Sequence, residues 1–566
     1  MSPRLAGPDP RPSSRDLDRG GRLLLVVILA AAATLRVWNI GGGIPDAVGV
    51  DEPQIMERVV RMMKTGDFNP HFFDWPSLTF YLQLVVACFT FLSGAMAGKW
   101  SHLDHVSAAD FYFNGRLLTA ALGTATVWLV YRAGLRWGWT QALLAAALLA
   151  VVPYHVRESH FVLTDVPAGL LTTLVLVLTL RARERPGLRA FALAGLAAGL
   201  AASAKYNGLI AIVMPLLTAW VASGAAAVRV QRTVVILAAA GLGFLVGTPY
   251  AVLDLPAFLN DYARLAEIFA RERGGEPGWS IYLKHLALAL GRPAFYLALV
   301  GLAGALWRTV RGPGRLRWAQ LAAFPVVYFH VMANSYQIYG RYLMPLLPFA
   351  SLLAAASLTA LLGVVGRLPM PALARRVAAT VLVIVAIAPP ARVAIDFNRS
   401  FGRQATVARP PAARTAWSVP PGNGSIRLPS DRRRPLAQQR RGVDVSPDRC
   451  VAGGSAFRLL PTECLAAGAQ RLEDRVDVED TAAPHAAAHV LQRRPEPGVV
   501  GQIGIGAEVV ARRPRLEHTR RFVGGQATVG LTHEVQRAVE RVAVDDDLDQ
   551  VAVPQPADGT AGERFG

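Results

Sequence analysis

The run Leu23-Leu24-Leu25-Val26-Val27-Ile28-Leu29-Ala30-Ala31-Ala32-Ala33-Thr34-Leu35-Arg36-Val37-Trp38-Asn39-Ile40, with Asp51-Glu52 shortly after it, decides how this chain is read. A bilayer crossing needs roughly 20 apolar residues, and the run approaches that length. It follows a basic start (Arg11, Arg15, Arg19, Arg22) and ends in Arg36, Trp38 and a glycine cluster. A cleaved signal peptide shares the basic start but ends at a clean small-residue site. The run is therefore read as a first crossing, and either reading leaves Asp51 outside the cytoplasm. Adjacent carboxylates beside a bilayer are costly to keep there, so they mark a functional site.

The composition around the run agrees. The 566 residues are 52% hydrophobic with mean hydropathy +0.32, too apolar for a soluble chain of this size. A formal charge of +19 would suit nucleic acid, but residues 401–566 hold 23 Arg against 20 Asp plus Glu, so +16 of the excess lies in the first 400 residues. There it occupies short connections between apolar runs, which is the positive-inside pattern and excludes a phosphate-binding stripe. Cys88, Cys450 and Cys464 form neither a metal spacing nor a disulfide framework.

Further apolar runs lie at about 112–131, 140–156, 162–180, 190–204, 208–224, 233–250, 286–307, 318–333, 342–362 and 377–391. With the first they predict an all-α polytopic membrane protein of about eleven transmembrane helices. Every second connection is basic: Arg132/Arg136, Arg181 to Arg189, Arg229/Arg232, Arg308 to Arg317 and Arg367 to Arg376. These are expected in the cytoplasm. The opposite connections hold Asp51/Glu52, the Glu158 region, Lys205-Tyr206-Asn207, the stretch from Leu253 to Lys284, and Tyr336 to Arg341. Ligand chemistry is expected on that face. A crossing at Leu78 to Met96 would invert every later connection. Residues 51–110 are therefore read as one large first extracytoplasmic loop, with an amphipathic piece at Glu52 to Lys64 and a re-entrant or membrane-lying helix at 78–96. A plain transmembrane helix there is the alternative.

Domain organisation follows: 1–21 a cytoplasmic N-terminal segment, 22–400 the transmembrane body, 401–566 a tail. The tail has no Lys and no Tyr and lacks periodic apolar spans, so it has little with which to build a core. It is expected to be poorly ordered, or to be GC-rich text read out of frame, and no function is assigned to it.

Moving a sugar from a phosphate-linked lipid to a hydroxyl requires a carboxylate to take the hydroxyl proton and cations to receive the departing phosphate. Asp51 suits the first role, with Glu52 beside it. Lys205, Arg341, His160 and Arg292 lie on the face required for the second, and Glu158 falls in the Arg157-Glu158-Ser159-His160 cluster. Each residue alone has a plainer explanation. Asp51 before Pro53 suits a helix N-cap, His160 a structural site, and Lys205 and Arg341 snorkelling side chains. Convergence on one face favours chemistry.

The motifs then carry a specific resemblance. Asp51-Glu52, Gly66-Asp67-Phe68-Asn69-Pro70-His71-Phe72-Phe73-Asp74-Trp75-Pro76-Ser77-Leu78, Ser159-His160-Phe161-Val162-Leu163-Thr164-Asp165, Ala204-Lys205-Tyr206-Asn207-Gly208 and Gly340-Arg341-Tyr342-Leu343-Met344-Pro345-Leu346-Leu347-Pro348 together resemble the GT-C superfamily of membrane glycosyltransferases. The similarity is strongest to its protein O-mannosyltransferase and lipid A aminoarabinose transferase branch, over roughly residues 20 to 400.

The resemblance implies a polyprenyl-phosphate sugar donor, an inverting transfer to a hydroxyl-bearing lipid, glycan or protein, and an active site on the extracytoplasmic face of the plasma (inner) membrane. It implies Asp51 as catalytic carboxylate, Glu52 as its support, and a second acidic motif at Glu158 to His160. Mannosyltransferases carry Arg where His160 stands, and His-Pro-Pro-Leu where Trp75-Pro76-Ser77-Leu78 stands. No cofactor is assigned, and a divalent cation is allowed by the superfamily without being placed. The rival class is a secondary transporter of an envelope precursor, which would show inverted repeats and midplane breaks. A scaffold without activity is the third.

Overall fold

The computed structural model describes residues 19–45, 49, 51–222, 224–272 and 274–407. Of the two units into which the chain divides, Met1–Trp417 with Arg521–Gly566 contains them all, and Ser418–Arg520 lies outside them. Most of the 1–21 segment and nearly all of the 401–566 tail are also outside the described residues.

The described residues are helical, without a strand. Seven stretches are long and apolar enough to cross a membrane by length and composition: Arg19–Val37, Leu78–Met96, Asp165–Glu184, Ala226–Gly247, Arg292–Arg311, Gly340–Arg367 and Ala372–Gly402. All but Leu78–Met96 coincide with runs marked as crossings in the sequence. The remaining runs appear as Tyr112–Gly134, Arg315–Ala333 and the shorter apolar helices Trp139–Val151, Leu188–Ala204 and Tyr206–Val221. The short ones end where the backbone leaves helical geometry, at Val152 before Pro153 (φ −58, ψ 115) and at the extended Lys205 (φ −157, ψ 131). The chain is a polytopic, multi-pass all-α membrane protein.

Arg136 pairs with Glu184, and Arg317 Nη1 donates to the Arg136 carbonyl at 2.8 Å, so three basic connections meet. The helices between them pack through small residues. In Leu188–Ala204, Gly195 and Gly199 lie against the carbonyls of Ile236 and Ala240 in Ala226–Gly247, where a Cβ would overlap the facing backbone.

Arg36 is buried completely. Its guanidinium donates to the carbonyls of Ala32 (2.9 Å), Ala150 (3.0 Å) and Leu149 (3.2 Å) and to His155 Nδ1 (2.9 Å). Leu149 and Ala150 are at the negative C-terminal end of Trp139–Val151, so helix carbonyls face the cation where a carboxylate would otherwise be needed.

In the first loop, Glu52–Thr65 buries Ile55, Met56, Val59 and Met62, the amphipathic face foreseen in the sequence. Gly66 ends it in the left-handed region (φ 70), its N–H donating to the Met62 carbonyl, as a glycine C-cap does. The helix Leu78–Met96 passes over the start of Tyr112–Gly134 instead of running down its length. Gln83 donates to the Gly115 carbonyl (3.2 Å) and Thr90 Oγ1 accepts from Asn114 (2.9 Å). About 10 Å of helix separates residues 83 and 90, yet both meet the same turn.

Candidate active site

Asp51 occupies the N-cap position of Glu52–Thr65 but makes no side-chain cap hydrogen bond. Its carboxylate, in a residue 7% exposed, instead stands with Oδ2 2.9 Å from Arg341 Nη1. Arg341 lies in the tight 3₁₀ turn Gly340–Leu346, which leads into Leu347–Arg367. Pro348 sits in the first turn of that helix, where its missing N–H has no intrahelical partner to lose.

A second pair adjoins the first. Lys205 Nζ donates to Oδ1 of Asp165, the first residue of Asp165–Glu184, and lies 4.3 Å over the Tyr342 ring. Tyr342 is fixed in turn by a relay. Asn207 Nδ2 donates to the Tyr328 hydroxyl (2.9 Å), which donates to the Tyr342 carbonyl (2.8 Å). Arg341 is drawn electrostatically by Asp51, Asp165 and Glu158, and Lys205 by Asp165 and Asp51 while Arg341 repels it. Asp51, Asp165, Lys205 and Arg341 are thus one network of balanced charge. Three atoms in or beside it are buried without a hydrogen-bond partner: Asp165 Oδ2, Arg341 Nε and Asn207 Oδ1. Each unmet group costs about 1–3 kcal/mol, and together they present two acceptors and one donor.

Of the residues expected from sequence, the structure brings Asp51, Lys205 and Arg341 together. Glu158 is buried, with Oε1 3.4 Å from Arg157 Nη1. Glu52 is engaged elsewhere. Consecutive residues at a helix start project about 100° apart. Glu52 accordingly receives Arg116 Nε on Oε1 and Nη2 on Oε2, both at 2.7 Å, with the Val162 N–H (3.0 Å) and the Gly49 N–H (3.1 Å). Both side chains of the Glu52–Arg116 pair are wholly buried. His160 is also held. Its Nδ1 faces the Val156 carbonyl (2.8 Å), its Nε2 faces the Trp38 carbonyl (3.1 Å) and Asn398 Oδ1 (2.8 Å), and Phe397 and Phe401 meet its ring edge-on.

Sequence reasoning passed over Arg116, Asp165 and Asn398. The first two carried a signal: a lone arginine inside an apolar span and an acid opening another both need a partner. Asn398 had none, because an asparagine in a helix past two prolines resembles a loop residue. Among the described residues no group of three or more His, Cys, Asp or Glu side chains could hold a metal ion. Asp51 and Asp165 each face a cation already, so the network does not fit a divalent ion as it stands.

Residues 26–259 match the family model described as dolichyl-phosphate-mannose-protein mannosyltransferase. No curated protein matches the chain. Among solved structures it is similar to the Archaeoglobus fulgidus oligosaccharyltransferase tethered with an acceptor peptide, at 14% identity and TM-score 0.49, covering 68% of this chain and 55% of that one. It is also similar to ArnT from Cupriavidus metallidurans bound to undecaprenyl phosphate, at 18% identity and TM-score 0.41, covering 68% and 74%. The S. cerevisiae Pmt1-Pmt2 complex bound to the sugar donor aligns at 21% identity and TM-score 0.31, covering 47% and 37%. The chain spans about half the length of the oligosaccharyltransferase structures. Asp51, Glu158, Asp165 and Lys205 all fall within the family match, which spans residues 26–259.

Proposed function

We propose that this chain is a membrane glycosyltransferase that moves a sugar from a polyprenyl-phosphate carrier to a hydroxyl on a lipid, glycan or protein, with inversion, on the extracytoplasmic face of the plasma membrane. The observation that carries the proposal is Asp51. It is a carboxylate at a helix start that does not cap the helix, held beside two cations that suit a phosphate.

In this mechanism Asp51 takes the proton of the acceptor hydroxyl as its oxygen attacks the anomeric carbon, and the bond from that carbon to the phosphate oxygen breaks. The carrier passes from a phosphodiester with one negative charge to a monoester approaching two. Asp51 passes from charged to neutral in the same step, so the charge within the network stays constant. Arg341 and Lys205 turn from their carboxylates to the phosphate as its charge grows. The buried acceptors Asp165 Oδ2 and Asn207 Oδ1 suit sugar hydroxyls. Glu52 and Arg116 hold the strand of chain that aims Asp51. Residues 51–110 form the outer loop over this site, with Leu78–Met96 lying along the membrane surface, and 22–400 form the catalytic body.

The test uses the full chain in vesicles supplied with a polyprenyl-phosphate sugar. Asp51→Asn removes the proton acceptor and is expected to lower transfer by about 10²–10⁴-fold at unchanged expression. Transfer at the wild-type rate removes Asp51 from the chemistry and returns the network to a structural role.

A further inference from the structure

The helix Leu255–Ala270 begins a few residues after Ala226–Gly247 ends, on the side of the bundle where Asp51 lies, and none of its residues is buried. It is nevertheless sorted by face. At about 100° per residue, Leu255, Leu259 and Tyr262 fall in one sector, and they are 44%, 54% and 46% exposed. Asn260 and Glu267, also exposed, fall about a third of a turn away. Asp261 and Arg264 lie further round and face protein: Asp261 Oδ2 accepts the Phe73 N–H at 3.0 Å, and Arg264 bonds Asp74. One face thus meets the first loop and a second carries polar groups. The third carries large apolar side chains that stay about half exposed, with Tyr262 also edge-on to the Tyr206 ring at 5.5 Å.

We infer that this third face docks on the lipid surface of the leaflet nearest Asp51, with Leu255, Leu259 and Tyr262 set into the acyl boundary and the helix lying in the plane of the membrane. Two observations name lipid as the occupant. The apolar strip continues that of the adjoining span without interruption, through the exposed Leu245, Val246, Val252 and Leu253, so one covering serves both. The helix carries Asp261 and Glu267 against a single Arg264, which excludes an anionic-headgroup stripe and leaves apolar area as the source of binding. The C-terminal end of the helix ties this contact to the site. Phe269 at the helix end has its ring 6.5 Å from that of Tyr342, the platform under Lys205, and its carbonyl accepts the Tyr336 N–H. The proposal does not depend on the chemistry assigned above.

The experiment places a nitroxide at Leu259→Cys or Glu267→Cys in the full chain, with the three native cysteines replaced by serine, reconstituted in phosphatidylcholine vesicles. Accessibility to oxygen, which concentrates in the bilayer, is compared with that to a water-soluble nickel chelate. The oxygen-to-nickel ratio at 259 is expected to exceed that at 267 several-fold, and to stay so when a third of the lipid is phosphatidylglycerol. Equal, nickel-favouring ratios at both positions would place the helix in water and overturn the proposal. Low accessibility to both reagents at 259 would reveal a protein partner and overturn it equally. A ratio that rises only with anionic lipid would contradict the apolar docking mode.

Discussion

Asp51 and Arg341 are 290 residues apart in sequence and 2.9 Å apart in space, and the pair forms where Asp51 could have capped its own helix. The arginine lowers the cost of keeping a carboxylate charged in a nearly closed site, and it stands where a leaving phosphate would need it. Arg341→Gln is therefore expected to raise the donor KM and to lower kcat by about 10²–10³-fold. Arg341→Lys should recover part of the loss. Initial-rate kinetics in vesicles read both, and equal kinetics for all three proteins would separate Arg341 from the donor.

Glu52 and Arg116 are paired with no exposure at all. Removing one partner strands a buried charge, which costs about 3–5 kcal/mol. Glu52→Gln should lower the thermal unfolding temperature in detergent substantially, and the double variant Glu52→Gln/Arg116→Met should regain much of it. A variant that keeps its unfolding temperature while losing transfer would move Glu52 from the scaffold into the chemistry.

His160 was expected to bind donor phosphate, yet both its nitrogens face oxygens of the fold. Under that geometry Lys205→Gln weakens donor binding while the protein stays folded. His160→Ala instead destabilises the 153–165 segment, by about 1–3 kcal/mol for each polar partner left unmet, with hydrogen exchange there rising. Donor affinity lost in His160→Ala without any change in exchange would restore it to the binding site.

The Gly66 to His71 turn gives a pH signature. The Asn69 N–H and the His71 ring hold the Asp67 carboxyl below its ordinary value. A carboxyl depressed in the folded state contributes stability above its unfolded pKa, and the contribution is lost as pH falls through the folded value. Limited proteolysis of the turn should accelerate on the acid side of the ordinary carboxylate range. Asp67→Asn should make cleavage pH-independent and raise it at neutral pH.

Much of the fold was legible because a bilayer imposes a long apolar period, and each marked run coincides with helix. Span lengths were less so, since Val152 breaks the 140–156 run, whose composition is continuous. Charge alternation grouped Asp51, Lys205 and Arg341 on one face, and the three lie in one network. It could not find the pairing within that end. Neighbours in sequence such as Asp51 and Glu52 diverge by about 100°, whereas Asp165 and Lys205 converge across a helix and its return. His160 and Asn398, far apart in the chain, share no pattern that a single sequence exposes.

Asn398 has one more implication, for the order of biosynthesis. Its amide closes onto the Leu35 carbonyl and His160, and Phe401 meets the His160 ring edge-on. The ribosome must therefore deliver the last described helix before the stretch around Glu158 acquires its permanent neighbours. Nascent chains stalled short of residue 398 should sit in the translocon with that region still open to protease.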